Sequence, residues 1–468
     1  MKDDVTELRL SETYELNVTI DVKGVPFAAK LKLSPREILL HVFGEVREGR
    51  KFAFDWSNME NLECHCINKT FILNNVNLLR ASKRTLTSYN KDVVVIECSY
   101  SVGYLVLVPS NFYQEHIGFD SLSLHSSCLN RWLGHTKKQR EIVDSYYKSN
   151  PFSNSDLLNE FHVSLNNNEY FTVGYNLTVY DSPNEFSTGM LFTPSFNYLF
   201  NEKLIAKDVK YKFDELYTLL VFFIGRDFSI EKIDVSYGQS NQLASLYFPT
   251  EHFSQHNKMD YEFFPCSHNL NYNQLGLPSL PLESFSNFFS LDKHDKNHFF
   301  KYLKYKRMTS DEEKFLGYFR LLESLCKKEK SFLDDEVLND LIKRSRNHLI
   351  KKFGDKKNVN SFLKGIPYYN KRKYNTAKCI QDLYSSIPTE VTKTWLFSKG
   401  DIPKVTKIRN DITHANDFYI TEEELHKNTI FIEVLLIFSL SNKIGIDFEI
   451  MKNIINRLSQ YLFIINKD

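Results

Sequence analysis

Ser310-Asp311-Glu312-Glu313-Lys314-Phe315-Leu316-Gly317-Tyr318-Phe319-Arg320-Leu321-Leu322-Glu323-Ser324-Leu325-Cys326 is the stretch that decides the fold. It opens with a capping box: the Ser310 hydroxyl can bond a free amide of the first turn, and the glutamate three positions on can reach back. Phe315, Phe319, Leu322 and Cys326 then recur at helical spacing, and Leu321 and Leu325 widen the apolar face. The same signals repeat downstream. Val337, Leu338, Leu341 and Ile342 mark a second helix. Asp401-Ile402-Pro403 starts another, with the acid as cap and the proline in the first turn. Thr421-Glu422-Glu423-Glu424 is a second capping box ahead of an apolar helix over 430–440, and a final helix runs over about 448–462. Residues 298–468 therefore read as a helical bundle with short connections.

Upstream the period changes from helical to alternating. Leu16, Val18, Ile20 and Val22 alternate, and residues 27–33 do so again after Gly24-Val25-Pro26. Residues 71–76, 93–98 and 102–108 continue the pattern, 137–147 reads as a helix, and 1–150 forms a first β-rich domain. A second β-rich block covers 151–265, in the same domain or a separate one, with strands over 161–165, 170–179, 216–224 and 233–237. Strands without regular helices between them favour an antiparallel sandwich-like region or a barrel. Residues 266–297 mix Asn, Ser, Pro and Leu without a period and read as a linker. The fold class is thus α+β multidomain, an antiparallel β-rich region followed by a C-terminal helical bundle.

At 468 residues the chain is too long for one ordinary core, and 42% hydrophobic with 25% charged residues is ordinary for a soluble globular protein. Net charge is +1, but its distribution is uneven. Between Lys296 and Asn375 basic residues outnumber acidic ones roughly two to one, which suits a polyanion such as RNA. The runs are Lys304-Tyr305-Lys306-Arg307, Lys327-Lys328, Lys343-Arg344-Ser345-Arg346 and Lys371-Arg372-Lys373; each also fits a solvated helix surface. Seven scattered cysteines without framework spacing imply reduced thiols in a cytosol. Cys64-His65-Cys66 and Cys266-Ser267-His268 lie too far apart in sequence to argue for zinc, so no metal is expected. Met1-Lys2-Asp3-Asp4-Val5 carries no apolar signal segment, and no stretch approaches the roughly 20 apolar residues of a membrane span. The expected location is cytoplasmic, away from membranes.

The chemistry-bearing stretch is Arg409-Asn410-Asp411-Ile412-Thr413-His414. Arginine five positions before histidine is by itself close to noise, and Arg36-Glu37-Ile38-Leu39-Leu40-His41 is a second copy, read as structural because it sits among strands. The later copy lies on or at the end of a capped helix, with Asn410-Asp411 and Asn416-Asp417 marking a wet edge. Here the chain resembles the HEPN ribonuclease superfamily, whose members carry an arginine, a polar residue, three more residues and a histidine. Residues 315–325 resemble the first bundle helix of the ApeA-like branch, and 122–133, with Trp132 near its end, is similar to a segment of that branch's β-rich N-terminal domain.

The resemblance implies a HEPN endoribonuclease acting in bacterial abortive defence against phage by cleaving tRNA. It implies Arg409, His414 and Asn410 as catalytic residues and a homodimer through the helical domain, with the cleft between two bundles. Glu323, polar on an apolar-rich helix, is a supporting candidate able to bond Arg409 or Asn410, or simply a solvated glutamate. Asn410 could orient His414 or a phosphate oxygen, or be a surface amide. His348 and His426 read as surface residues.

First principles allow this chemistry without a cofactor. RNA carries its own 2′-OH nucleophile, so an enzyme needs a proton carrier and a cation for the developing phosphorane charge. Histidine, with an ordinary pKa of about 6.5, supplies the first; arginine offers a fork of donors for the second. The expected products carry 2′,3′-cyclic phosphate and 5′-hydroxyl ends. On one regular helix Arg409 and His414 point about 140° apart with a rise of roughly 7.5 Å. Either the helix loosens near Thr413 or two chains pool their motifs. The β-rich region would then be a sensor or restraint, with a phage-derived or nucleotide trigger. Two other readings remain: a non-catalytic RNA- or protein-binding HEPN module, and a carbohydrate-binding β-sandwich joined to a helical dimeriser.

Overall fold

The computed structural model describes residues 6–466 except 23–24, 48–56, 89–90, 110–117, 149–157, 183–186, 239–241, 251–261, 267, 329–330, 372–374 and 415–418. The chain divides into two compact units, Met1–Leu291 and Asp292–Asp468. No helix among the described residues is long and apolar enough to cross a membrane.

In the first unit, β1 (Tyr14–Val22), β2 (Val25–Leu33), β3 (Ile38–Arg47), β4 (Met59–Cys66), β5 (Lys69–Ser88) and β6 (Lys91–Val108) pair in the order β3-β2-β1-β4-β5-β6. The β3–β6 pairing closes them, so the alternation becomes a six-stranded antiparallel barrel. In β2, Phe27, Ala29, Leu31 and Leu33 are buried while Lys30 and Lys32 stand at the opposite parity. Closure gives that apolar face an interior and removes free edges. Of the two arrangements open to the antiparallel region, sandwich or barrel, these strands take the barrel. The second copy of the motif runs from the turn before β3 into that strand, where the His41 ring bonds the Ser99 hydroxyl across the ladder at 2.9 Å.

The second β-rich block supplies β7 (Phe119–His125), β8 (Asn159–Ser164), β9 (Tyr170–Ser182), β10 (Ser187–Leu204), β11 (Lys232–Tyr237) and β12 (Gln242–Tyr247). They continue the same sheet as β12-β11-β7-β10-β9-β8. The join is β6: residues 93–102 pair with β3, and Leu105, Val106 and Leu107 pair with β12. Residues 104–108 are all buried, as expected of a strand covered on both faces.

Helices α1 (Ser127–Leu133) and α2 (Lys137–Lys148) follow β7. Trp132 is fully buried, and its indole N–H donates to the Phe264 carbonyl at 2.8 Å. The strand expected over 216–224 is the end of a helix, α3 (Ala206–Ile224). Every residue from Glu215 to Ile224 is buried, so this second half of the helix is covered on all sides and its periodicity disappears into a run that mimics a buried strand. Gly225 ends it in the left-handed region at φ 84°, where its N–H bonds the Val221 carbonyl.

The expected linker over 266–297 is also corrected. It carries α4 (Leu270–Gln274) and α5 (Glu283–Ser290), with Phe285 and Phe288 buried and Phe285 stacked on Phe171 at 5.1 Å between centroids. Eight residues are too few to show a period from sequence.

The second unit contains α6 (Lys293–Lys306), α7 (Asp311–Cys326), α8 (Asp335–Phe353), α9 (Lys356–Asn370), α10 (Thr376–Ser386), α11 (Thr389–Thr392), α12 (Ile402–Thr413), α13 (Glu422–Lys443) and α14 (Phe448–Ile454). Both capping boxes act as caps: Ser310 accepts from the Glu313 amide and Thr421 from the Glu424 amide. Asp401 does not. Its carboxylate turns back to accept from the Ser398 amide and hydroxyl at 2.9 and 2.6 Å, and Pro403 alone marks the start of α12. The final helix is shorter than the expected 448–462, because two 3₁₀ turns replace it after Ile454.

α13 is the axis of the unit, buried along 428–438 and packed on α7. Trp395, Tyr384 and Phe397 surround Phe431 of α13. α8 is helical as expected, yet only Leu338 is buried, and Val337 and Leu341 are exposed.

Gly317 on α7 faces the Tyr305 ring, and an added Cβ would lie 2.5 Å from it. The nearest atoms include the ring's Cγ, at its point of attachment, so relief requires the whole ring or α6 to shift. Gly317→Ala should therefore destabilise by about 1–3 kcal/mol despite the better helix propensity of alanine. Urea midpoints would show it; a stabilised variant would refute this packing.

Candidate functional site

α12 brings the motif to one end of the second unit, and α7 supplies its first partner. Arg409 Nη2 lies 2.9 Å from Glu323 Oε2, while Nη1 donates to Asn410 Oδ1 at 2.9 Å. Glu323 is held in turn by the Thr376 hydroxyl, 2.7 Å from Oε1. The guanidinium sits over the Phe319 ring at 5.7 Å, within cation–π range. Its Nε is buried and has no hydrogen-bond partner among the described residues. Arg409 is thus fixed by an acid, an amide and a ring, while most of its five donors remain unengaged.

His414 stands elsewhere on the same element. The helix ends at Thr413, and His414 occupies its C-cap with φ −98° and ψ 7°, its backbone amide bonding the Asn410 carbonyl at 2.9 Å. Its ring is exposed. That backbone bond keeps the chain in helical register up to His414, so the helix does not loosen before it, and no side-chain bond joins Arg409 to His414 among the described residues. The structure joins Arg409, Asn410 and Glu323 by side-chain bonds, while the exposed His414 side chain makes none among the described residues. Asn416 and Asp417 lie outside the described residues.

Beside this cluster is a groove of about 760 Å³. Arg320, Lys327, Lys328, Lys371 and Tyr368 line it, together with Glu323 and Thr376, so the groove and the Arg409 contact share two residues. Lys328 reaches Asp382 at 3.3 Å and Lys371 reaches Asp335 at 3.9 Å. These pairs are exposed and worth little, so the lining stays cationic. The signal was in the sequence: Arg320, Glu323, Ser324 and Lys327 recur at i, i+3, i+4 and i+7, the polar face of α7. Thr376 gave none, being joined to Glu323 only by the fold.

The other basic runs separate. Lys306 is half-buried and turned toward Glu433, 3.0 Å away, so it adds little to the cationic surface. Lys343, Arg344 and Arg346 lie on α8, where Arg344 pairs with Asp340 and Arg346 bonds Asn360. Arg372 and Lys373 lie outside the described residues. His348 is exposed, as expected. His426 is not a free surface residue: it is half-buried, with Nδ1 2.9 Å from Asp311 Oδ2.

All seven cysteines are free thiols. Cys64 is buried, and burial pushes its thiol far up; His65, at the opposite strand parity, bonds Thr70. His268 donates toward Glu160 at 2.6 Å. Ser267 lies outside the described residues. Among the described residues, three metal-type donors gather in one place only, His294, Asp295 and His298 of α6.

Residues 17–274 match the family model of the ApeA N-terminal domain 1, and residues 284–449 match that of the Apea-like HEPN domain. No curated protein and no solved structure matches the chain significantly.

Proposed function

Because the chain belongs to the ApeA-like HEPN family, whose two domain models cover it from residue 17 to 449 with a short gap, we propose that it is a metal-independent endoribonuclease of anti-phage defence. In this reading it cleaves RNA, tRNA in particular, in the cytoplasm. The carrying observation is the fixed guanidinium of Arg409, clamped by Glu323 and Asn410 at the rim of a cationic groove with an exposed imidazole on the same helix.

Each part has a role. The groove holds backbone phosphates through Arg320, Lys327, Lys328 and Lys371, and Tyr368 offers a ring on which a base can stack. Arg409 presents its unengaged donors to the scissile phosphate. His414 moves the proton of the 2′-OH or of the leaving 5′-oxygen. Asn410 and Glu323 set the guanidinium plane. His414 faces outward from the helix end, which suits a site completed by a second bundle. We propose a homodimer through the helical domain, supported by the exposed apolar side chains of α8 and α9, including Val337, Leu341 and Phe362. The β-rich unit would act as sensor or restraint, answering a phage-derived or nucleotide trigger.

Incubation of the purified protein with total tRNA tests the reading. Discrete fragments should form, end in 2′,3′-cyclic phosphate and 5′-hydroxyl, and persist in EDTA. Fragments with free 3′-hydroxyls, or cleavage abolished by EDTA and restored by magnesium, would refute it.

A further inference from the structure

Helix α6 opens with His294-Asp295-Lys296-Asn297-His298. The two histidines are one helical turn apart and share a face, with Asp295 between them. His298 Nδ1 lies 3.4 Å and His294 Nδ1 3.7 Å from Asp295 Oδ1, and the donor atoms of all three residues fall within 4.8 Å of one another. A tetrahedral zinc ion with bonds of about 2.0–2.1 Å separates its donors by about 3.3 Å. Two of the three edges are already close to that length, and rotation of the exposed His294 ring closes the third.

A second observation points to a ligand. His298 is only 3% exposed, and its Nδ1 makes no hydrogen bond, although it faces the carboxylate and the other imidazole. Its Nε2 is 3.3 Å from the Ser324 hydroxyl. A buried ring nitrogen left without a hydrogen bond is costly, and a metal ion accepted by the Nδ1 lone pair, with Nε2 carrying the proton toward Ser324, removes that cost.

We infer that His294, Asp295 and His298 form a binding site for a divalent zinc-type metal ion, with water in the fourth position. Two imidazoles and one carboxylate are a borderline-soft donor set suited to zinc or cobalt and unsuited to magnesium or calcium. Lys443 donates to Asp295 Oδ1 at 2.8 Å. It orients the carboxylate from outside the donor shell, and its charge lowers the affinity. The site is apart from the proposed nuclease chemistry but not remote from it: Ser324 adjoins Glu323, the residue that clamps Arg409.

The test uses the full-length protein with zinc alone and cobalt alone. Zinc should raise the melting temperature by a few degrees with one ion bound per chain. Cobalt should give visible d–d bands without a sulfur charge-transfer band. His294→Ala, an exposed change, should abolish both effects while leaving the metal-free melting temperature in place. Lys443→Met should tighten zinc binding several-fold. Equal zinc responses in the parent and His294→Ala proteins, no response in either, or a thiolate band with cobalt would each overturn the site. Since the readouts are melting and absorption, the result is independent of whether the protein cuts RNA.

Discussion

Replacing His414 with alanine should lower RNA cleavage by about 10²–10⁴-fold, the range expected for loss of a general acid or base. The ring is exposed at the end of α12, and the residue's described bonds are made by its backbone, so truncation removes no packing. Stability should change by no more than about 0.5 kcal/mol. Arg409→Ala should abolish cutting as fully, and Arg409→Lys should rescue little, because a lysine keeps the charge but loses the fork that spans Glu323 and a phosphate. Mixing Arg409→Ala with His414→Ala chains should recover part of the activity if two bundles share a site. Undiminished cleavage by both single variants, measured on gel-resolved tRNA fragments, would eliminate the nuclease reading.

Lys306→Met should destabilise the helical unit by about 3–5 kcal/mol, the usual result of leaving one member of a buried ion pair alone. Glu433 sits inside the bundle on α13, accepting from the Tyr302 hydroxyl at 2.8 Å, the Tyr318 hydroxyl at 3.3 Å and Lys306 at 3.0 Å. Burial alone would push its carboxyl up. The Lys306 ammonium and the two phenols outweigh that and hold it below its ordinary value. A depressed carboxyl pKa gives stability that is present above the ordinary carboxylate range and is lost as pH falls through the lowered value. In Lys306→Met burial prevails, the carboxyl rises, and stability is instead lost as pH increases through the raised value. The gap between parent and variant should therefore narrow on acidification. Chemical denaturation at neutral and mildly acidic pH would measure it, and a gap that widens in acid would sink the account. Glu433→Leu added to Lys306→Met should recover much of the loss.

What could be read in advance follows from how local each signal is. The capping hydroxyls of Ser310 and Thr421 bond amides three residues away, so their sequence is the whole cause, and the structure shows the bonds as expected. The strand alternation of 14–33 is equally local and gives the barrel wall. The failures lie where distant residues decide. Asp401 has the chemistry of a cap, but Ser398 competes for its carboxylate and wins. The second half of α3 is surrounded by core, so residues 215–224 lack the polar face that would have identified a helix there. Lys306 looked like part of a basic surface because Glu433 is 127 residues away in sequence. At the candidate site, the motif on α12 and the Glu323 option were visible as residue types. That Arg409 rather than Asn410 takes Glu323, and that Thr376 holds the other oxygen, are facts of tertiary packing.

Strand β6 carries one more implication. Because a single unbroken segment is both a stave of the barrel and the first rung of the outer strands, neither part of the N-terminal unit can melt while the other stays whole. Severing the polypeptide near residue 150 would strip Leu105–Leu107 of the neighbour that β12 provides and leave a bare apolar border prone to self-association. A fragment meant to keep that border covered should therefore run to Leu291, where the first compact unit ends.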